Sequence, residues 1–276
     1  MTALKNLWFG IVYCFSPLIR KEIPESHFTA QQRQVGIAFS PLRGIICAVA
    51  VLIPFFFLTQ AVKRLDTNST QLLLPLLFCL IIERLTHLRR INAFCRCVEA
   101  ASAPAKAAQI MQTNGPIPLT ANGIFMMFFL LGAKLLVLYI LVTKVLVGGM
   151  KADSELLVDF ALMITAIPVF AELGSVLLLT GDGNTGNAVV KGTPPEKDFK
   201  ALLPLLAAVL LTLPLAVLIW LRLSQNAVIL PGALVMFMVF YWKHHVDKSI
   251  GKLDRQVGWA CYESCELAAM TGLLIV

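Results

Sequence analysis

Long apolar runs separated by short polar segments form the main pattern of this sequence. Six of these runs approach or exceed the roughly 20 residues that a helix needs to cross the hydrocarbon core of a bilayer. They occupy residues 36–58, 117–147, 156–179, 201–221, 227–242 and 257–276. The pattern therefore predicts an all-α protein, built as a polytopic bundle of transmembrane helices.

A seventh segment, residues 71–88, is less regular. Its apolar part ends at residue 82, and continuing to residue 88 places Glu83 and Arg84 in the bilayer. A re-entrant or broken helix is the alternative to a crossing. Counting it as a crossing gives about seven spans, and it then places 16 of the 23 Lys and Arg residues on one side and four on the other. The positive-inside rule makes the more basic side cytoplasmic. We therefore expect a multi-pass protein of the cell inner membrane, with its N-terminus in the cytoplasm and its C-terminus outside.

The composition agrees with a membrane location. The chain is 58% hydrophobic and 14% charged, whereas soluble domains carry about 25% charged residues. The net charge of +7 comes from basic residues that lie between the apolar runs, where they flank membrane spans. No nucleic-acid partner is therefore expected. Residues 1–20 have no clean signal-peptide core and predict an interfacial helix. We expect residues 1–276 to form one integral membrane domain without an internal repeat.

Four acidic residues fall inside the six long apolar runs, where ionisable groups are costly and mark functional candidates. They are Asp159, Glu172, Glu263 and Glu266. The last two are three residues apart and share one helix face. Two interpretations remain open. The acids form internal ion pairs with Lys134, Lys144 or Arg43, or they face a substrate or an ion.

Three motifs suggest other chemistry but lack the required context. Residues 181–186 spell G-x-G-x-x-G, yet they follow a membrane span rather than a β-strand, so a turn is favoured. His87, Cys95 and Cys97 lack the second cysteine pair of a zinc site, and no metal site is predicted. The seven cysteines have no disulfide-framework spacing and are expected to be reduced, small apolar residues. His244 and His245 indicate an interfacial anchor, with a pH switch as the alternative.

Four elements, in order along the chain, resemble the cobalamin synthase family, the adenosylcobinamide-GDP ribazoletransferases. Residues 40–44, Ser-Pro-Leu-Arg-Gly, are similar to the family's F-P-L-x-G element. His87-Leu88 matches the start of H-L-D-G-x-x-D-x-x-D-G, and Met111 stands at the start of M-K-D-S-R-x-G. The ending I-G-G-x-T-G-D-x-L-G-A-x-x-E-x-x-E matches at Ile250, Gly251, Ala260, Glu263 and Glu266. The loops that carry these motifs, 83–116, 180–200 and 243–256, all lie on the predicted cytoplasmic side.

This resemblance implies the last assembly step of adenosylcobalamin, in which α-ribazole displaces GMP. Such chemistry requires Mg²⁺ held by carboxylates. Here the family's three aspartates are replaced by Arg89, Ala93 and Arg96, and a further aspartate by Gln256. Residues 112–115 differ from the family's Lys-Asp-Ser-Arg, and 171–173 differ from its Gly-Arg-Trp. Magnesium, expected for the family, is therefore in doubt here.

We therefore expect a transferase with impaired activity, a pseudoenzyme candidate, and the sequence leaves open whether the chain is an enzyme. The alternative is a non-catalytic membrane scaffold or a binder of a phosphorylated ligand, since arginine holds phosphate in bidentate fashion. A small transporter using Asp159 and Glu172 is disfavoured because no repeat is found. Expected partners are membrane lipid, a corrinoid or nucleotide-linked ligand, and other cofactor-assembly proteins. The candidate substrate-binding residues are His87, Arg89, Arg90, Arg96, Glu263 and Glu266.

Overall fold

The structure is a computed structural model that describes residues 2–15, 27–63, 90–112, 120–147, 154–180, 199–250 and 255–276. Within these ranges nearly every residue is helical and none is in a β-strand. The predicted fold class, an all-α helical bundle, is confirmed.

The described residues form ten α-helices. They are α1 (Thr2–Phe15), α2 (Ala30–Ala38), α3 (Ser40–Lys63), α4 (residues 90–102), α5 (Ala107–Gln112), α6 (Ala121–Val147), α7 (Ser154–Thr180), α8 (Phe199–Arg222), α9 (Asn226–His245) and α10 (Arg255–Ile275). A 3₁₀ turn, Pro104–Lys106, precedes α5, and a π-helical turn, Val246–Ile250, continues α9.

Helices α7 and α10 form the centre of the bundle. Helix α10 packs against α6, α7 and α9, while α7 also packs against α3 and α8. Small side chains of α10, among them Ala260, Cys261 and Ala269, are fully buried and allow this close packing. The outer helices α6, α8 and α9 instead expose large apolar side chains. An apolar outer surface around a close-packed centre is what a bilayer environment requires.

Among the described residues, four helices are long and apolar enough to cross a membrane. They are Ala121–Leu141, Val158–Thr180, Leu202–Arg222 and Asn226–Ile250. Residues Gln31–Ala38 and Ser40–Pro54 make a fifth if the pair, bent by 46°, is one span. The protein is therefore a multi-pass membrane protein, whereas the predicted total of seven spans is not confirmed. The predicted span 71–88 lies outside the described residues.

Helix α10 explains one difference between the predicted and observed spans. The predicted span 257–276 is present as a long helix, but it is not among the apolar candidates. Its hydropathy is lowered by Glu263, Ser264 and Glu266, which a central position allows because other helices surround them. Helix α10 runs antiparallel to α9, since Trp242 bonds Ser264 near one end and Pro231 contacts Gly272 near the other.

Helix α1 packs on α2 as a separate pair at one side of the bundle. The Asn6 amide donates a hydrogen bond to Gln31 at 3.0 Å, which ties the two helices together. Thr29 and Gln32 form a capping box that starts α2. The predicted interfacial helix at residues 1–20 is thus a helix at Thr2–Phe15, while its position relative to the membrane stays a prediction.

Two glycines provide a matched test of helix packing. A Cβ atom on Gly44 would lie 2.9 Å from the backbone carbonyl carbon and oxygen of Pro168, whereas a Cβ on Gly132 would meet nothing within 4 Å. The sequence marks both as small residues suited to close helix contacts, and only Gly44 makes one.

We expect Gly44→Ala to lower the free energy of unfolding by about 1–3 kcal/mol, the usual cost of overpacking, because backbone atoms of α7 must move. Gly132→Ala is the matched control and should cause no loss. Equilibrium unfolding in mixed micelles, followed by helical circular dichroism, measures both. Equal effects of the two substitutions would contradict close packing of α3 on α7.

Candidate functional site

Three buried charged side chains from three helices form the first part of the site, the arginine cluster (Arg43, Arg90 and Glu172). Arg43 donates two hydrogen bonds to Glu172, from Nε to Oε1 at 2.8 Å and from Nη2 to Oε2 at 2.5 Å. Arg90 Nη2 donates to Glu172 Oε1 at 3.0 Å. All three side chains are almost completely shielded, and Glu172 is 0% exposed. Glu172 therefore serves as the shared acceptor of two cations from α3 and α4.

A second group, the lysine cluster (Lys134, Glu263 and Glu266), joins α6 to α10. Lys134 Nζ donates to Glu263 Oε2 at 2.6 Å and also to Glu266 Oε2. These side chains are buried as well. The spacing of the two acids puts both on the face of α10 that meets α6, so one ammonium group bridges them.

Tyr262 connects the two clusters. The Arg90 guanidinium carbon lies 4.0 Å from the centre of the Tyr262 ring, a cation–π contact, and Tyr262 precedes Glu263 on α10. With every group ionised, the arginine cluster carries a net charge of +1 and the lysine cluster −1. Together they are neutral, which limits the cost of burying charge because each excess charge has an opposite excess nearby.

The local sequence places these groups at the centre of the bundle. Gly44 allows α3 to approach α7 at Pro168 and Val169, which brings Arg43 to Glu172. Gly174 lies against Cys265 of α10 and Val235 of α9, so α7 and α10 approach closely in the same region. Arg43 also donates to the Cys14 carbonyl at 2.8 Å, which links α1 to this centre.

The predicted internal ion pairs are thus present for three of the four acids. Lys134 and Arg43 are among the partners that the sequence proposes, and Lys134 pairs with two acids. The side chain of Lys144 lies outside the described residues. Asp159 differs, because it is only partly buried and faces Arg222 near the end of α8, with 3.4 Å between Arg222 Nε and Asp159 Oδ1.

The residues at the family's motif positions lie mostly inside the protein. Ala93 and Arg96 are buried on α4, 4% and 7% exposed, and Gln256 is partly buried at the start of α10. His87 and Arg89 lie outside the described residues, so their predicted role stays a prediction. Arg90, predicted from the sequence as a candidate substrate-binding residue, is 1% exposed and ion-paired.

One further buried acid was not found by sequence reasoning. Glu99, on α4, accepts hydrogen bonds from the Thr120 backbone at 2.9 Å and from its hydroxyl at 2.7 Å. These bonds fix the end of α4 to the start of α6. Neither the hydrophobic pattern nor a motif marked Glu99, because it lies in a polar connecting segment.

The described residues do not fit a magnesium site. No group of three or more His, Cys, Asp or Glu side chains able to hold a metal occurs among them. In the part of the α10 motif that matches the family, the ammonium group of Lys134 already lies between Glu263 and Glu266. A divalent cation would have to displace it.

The described cysteines are free thiols and all are buried. They are Cys14, Cys47, Cys95, Cys97, Cys261 and Cys265. For Cys95, burial raises the pKa of the thiol to about 11, with a smaller contribution from Glu99. The thiol is therefore protonated at neutral pH and acts as a small apolar side chain. Its sulfur contacts the Gly123 carbonyl at 3.5 Å, another link between α4 and α6.

Comparison of this chain with known protein families, curated proteins and solved structures finds no match.

Proposed function

We propose that this chain is a divergent relative of cobalamin synthase in which the transferase activity is lost or strongly impaired. The observation that carries this proposal is the position of Lys134. Its ammonium group binds both Glu263 and Glu266, the two acids retained from the family's C-terminal motif. Both carboxylates are therefore engaged in ion pairs inside the protein, and they act as structural rather than catalytic groups.

The chemistry of the family's reaction gives this observation its weight. Displacement of GMP from a diphosphate needs cationic groups and Mg²⁺ to neutralise the phosphates, and Mg²⁺ needs carboxylate ligands. Ala93 and Arg96 stand where the resemblance places aspartates, and both are buried on α4. Loss of these ligands, together with the contacts of Lys134 with both remaining acids, leaves the described motif positions without a free carboxylate to bind the metal.

The proposed location is the cell inner membrane, with the N-terminus and the motif-bearing loops in the cytoplasm. The multi-pass architecture supports a membrane location, and the end of α9 carries Lys243, His244 and His245 in its last turn. Basic residues at one end of the spans favour a cytoplasmic position for that end. Nucleotide-linked ligands would meet the protein there.

An assay of GMP release tests the loss of activity. The protein, purified in detergent, is incubated with adenosylcobinamide-GDP, α-ribazole and Mg²⁺, alongside an intact cobalamin synthase as the positive control. We expect no GMP above the no-protein background because the metal-binding carboxylates are missing. Release at a rate comparable to that of the control enzyme would overturn the proposal.

A second candidate function is non-catalytic binding of a phosphorylated ligand. One observation favours it: in Arg90, Nε and Nη1 are buried and have no hydrogen-bond partner within the described part of the chain. Each of these nitrogens could donate a hydrogen bond to a phosphate oxygen. Arg89 and Arg96, the neighbouring arginines in the sequence, would contribute to the same site.

Binding of adenosylcobinamide-GDP separates this candidate from an inert scaffold. Wild type is compared with Arg89→Asp, and Arg222→Gln at the far end of α8 is the control. Weaker binding in Arg89→Asp alone supports a ligand binder. Absence of binding to wild type rejects it and leaves the scaffold, which would contact other cofactor-assembly proteins through its surface.

A further inference from the structure

A cavity of about 500 Å³ lies between α4, α6, α9 and α10, apart from the two charged clusters. Its walls are mostly apolar and include Phe94, Leu130, Met238, Leu267 and Ala268. The size falls within the range of about 300–1,000 Å³ common for ligand sites. Walls of this kind suit a hydrocarbon group.

The cavity borders the lipid-facing surface of the bundle. Phe129 of α6 and Tyr241 of α9 line it, and they are 59% and 48% exposed. Both belong to helices that are candidate membrane spans. A lateral opening between such helices faces lipid hydrocarbon rather than water, so the occupant must enter from the membrane.

One end of the cavity is basic. His245 lines that end, and Lys243, His244 and Lys248 are its neighbours on α9 and the π-helical turn. The 3₁₀ turn with the exposed Lys106 packs against the same π-helical turn.

Among the described residues, two acids lie in this region. Asp247 is exposed beside the lysines, and Glu99 accepts hydrogen bonds from Thr120. The described lysines Lys106, Lys243 and Lys248 carry one more charge than these two acids, which favours a lipid head group of net negative charge.

The polar groups deeper in the cavity are already paired. Trp242 Nε1 donates to Ser264 Oγ at 2.9 Å, and Thr271 Oγ1 donates to the Leu267 carbonyl at 2.8 Å. In contrast, Nδ1 of His245 has no hydrogen-bond partner among the described residues. The interior therefore favours an apolar chain, and the unsatisfied polar atom lies at the basic end.

We propose that this cavity binds an anionic phospholipid, with one acyl chain inside it and the phosphate beside His245 and Lys248. A soluble apolar ligand would not explain the opening toward lipid. A zwitterionic lipid would gain little from the positive balance at the basic end. None of the residues that the resemblance assigns to the transferase lines the cavity, so this proposal can fail without affecting the proposed function.

Tryptophan quenching by brominated lipid provides a direct test. The variant Trp8→Phe/Trp220→Phe/Trp259→Phe leaves Trp242, which lines the cavity and is 1% exposed. It is reconstituted in phosphatidylcholine vesicles that contain a minor fraction of phosphatidylglycerol, with bromine on the acyl chains of one lipid or the other. Because Trp242 is buried, strong quenching requires a brominated chain close to its ring, and the cavity provides the path by which a chain can approach.

We expect brominated phosphatidylglycerol to quench Trp242 and an equal amount of brominated phosphatidylcholine to quench it much less. Lys248→Gln should weaken the preference for phosphatidylglycerol about fivefold, the effect of about one cation near a membrane surface. Arg222→Gln, at the opposite end of the bundle, is the charge control and should leave the preference unchanged.

Two different substitutions are used to fill the cavity, so that the test still holds if one of the two variants misfolds. Ala268→Phe and Ala101→Phe should each remove the quenching, provided that circular dichroism shows an unchanged helix content. Absence of quenching by both lipids in the parent would show that no lipid chain enters and would overturn the proposal. Equal quenching by the two lipids would overturn it as well. An apolar groove that admits any acyl chain does so without a binding site for the head group.

Discussion

Replacing Glu172 by glutamine is expected to lower the free energy of unfolding by about 3–5 kcal/mol, the usual cost of removing one partner from a buried ion pair. The substitution keeps the size of the side chain but removes its charge. Arg43 and Arg90 then stay buried beside each other without the shared carboxylate. Unfolding in mixed micelles, followed by circular dichroism, measures the change.

Asp159→Asn is the matched control, because it neutralises another acid of α7. Arg222 and Asp159 are 39% and 30% exposed and 3.4 Å apart, so this pair is much less buried than that of Arg43 and Glu172. Exposed ion pairs contribute about 0–1 kcal/mol. If the two substitutions had the same small effect, the arginine cluster would not be a stabilising centre of the bundle.

The second large effect is expected for Lys134→Met. This change keeps an unbranched apolar stem but leaves Glu263 and Glu266 close together on α10 without their cation. We expect a loss of about 3–5 kcal/mol, because two like charges in a buried site have no compensation. The free energy of unfolding in the same micelles provides the measurement.

A second substitution distinguishes charge from packing in this result. Adding Glu263→Gln to Lys134→Met removes one of the two excess negative charges, so part of the lost stability should return. Leu138→Ala, a buried apolar truncation on the same helix, is the packing control, and Glu263→Gln should not rescue it. No recovery in the Lys134→Met background would show that volume, rather than charge, determines the loss.

The hydrophobic pattern was sufficient to predict the fold class and most of the outer helices. Runs such as 201–221 present apolar side chains to lipid all along their length, and α8 is a helix over nearly the same residues. Helix boundaries were less accurate, since α9 continues past residue 242 to His245 and then into the π-helical turn. Mean hydropathy does not predict this continuation, because residues 243–250 mix charged and apolar side chains.

The candidate site was predicted only in part, for a physical reason. The cost of a charge in the bilayer identified Glu172, Glu263 and Glu266, and it named Lys134 as a partner. The pairing itself depends on which helix faces meet, and α6 meets α10 through contacts far apart in the sequence. Spacing within one segment cannot show that.

Arg90 illustrates what the sequence could not reveal. It lies in a run of basic residues, 84–96, that has the composition of a cytoplasmic loop. The structure instead buries it between Glu172 and Tyr262. A basic residue in such a segment cannot be distinguished by sequence from the other arginines around it until its acidic partner in α7, 82 residues further along the chain, is brought beside it.

The role of the buried charges as the internal structure of this bundle is tested most directly by a double-mutant cycle on Arg43 and Glu172. Arg43→Met, Glu172→Gln and the double variant are unfolded under identical conditions, and the coupling energy is compared with that of Arg222 and Asp159. We expect a coupling of at least about 2 kcal/mol for the buried pair, within the range found for residues in one salt-bridge network, and well under 1 kcal/mol for the exposed pair. A coupling near zero for Arg43 and Glu172 would contradict the account.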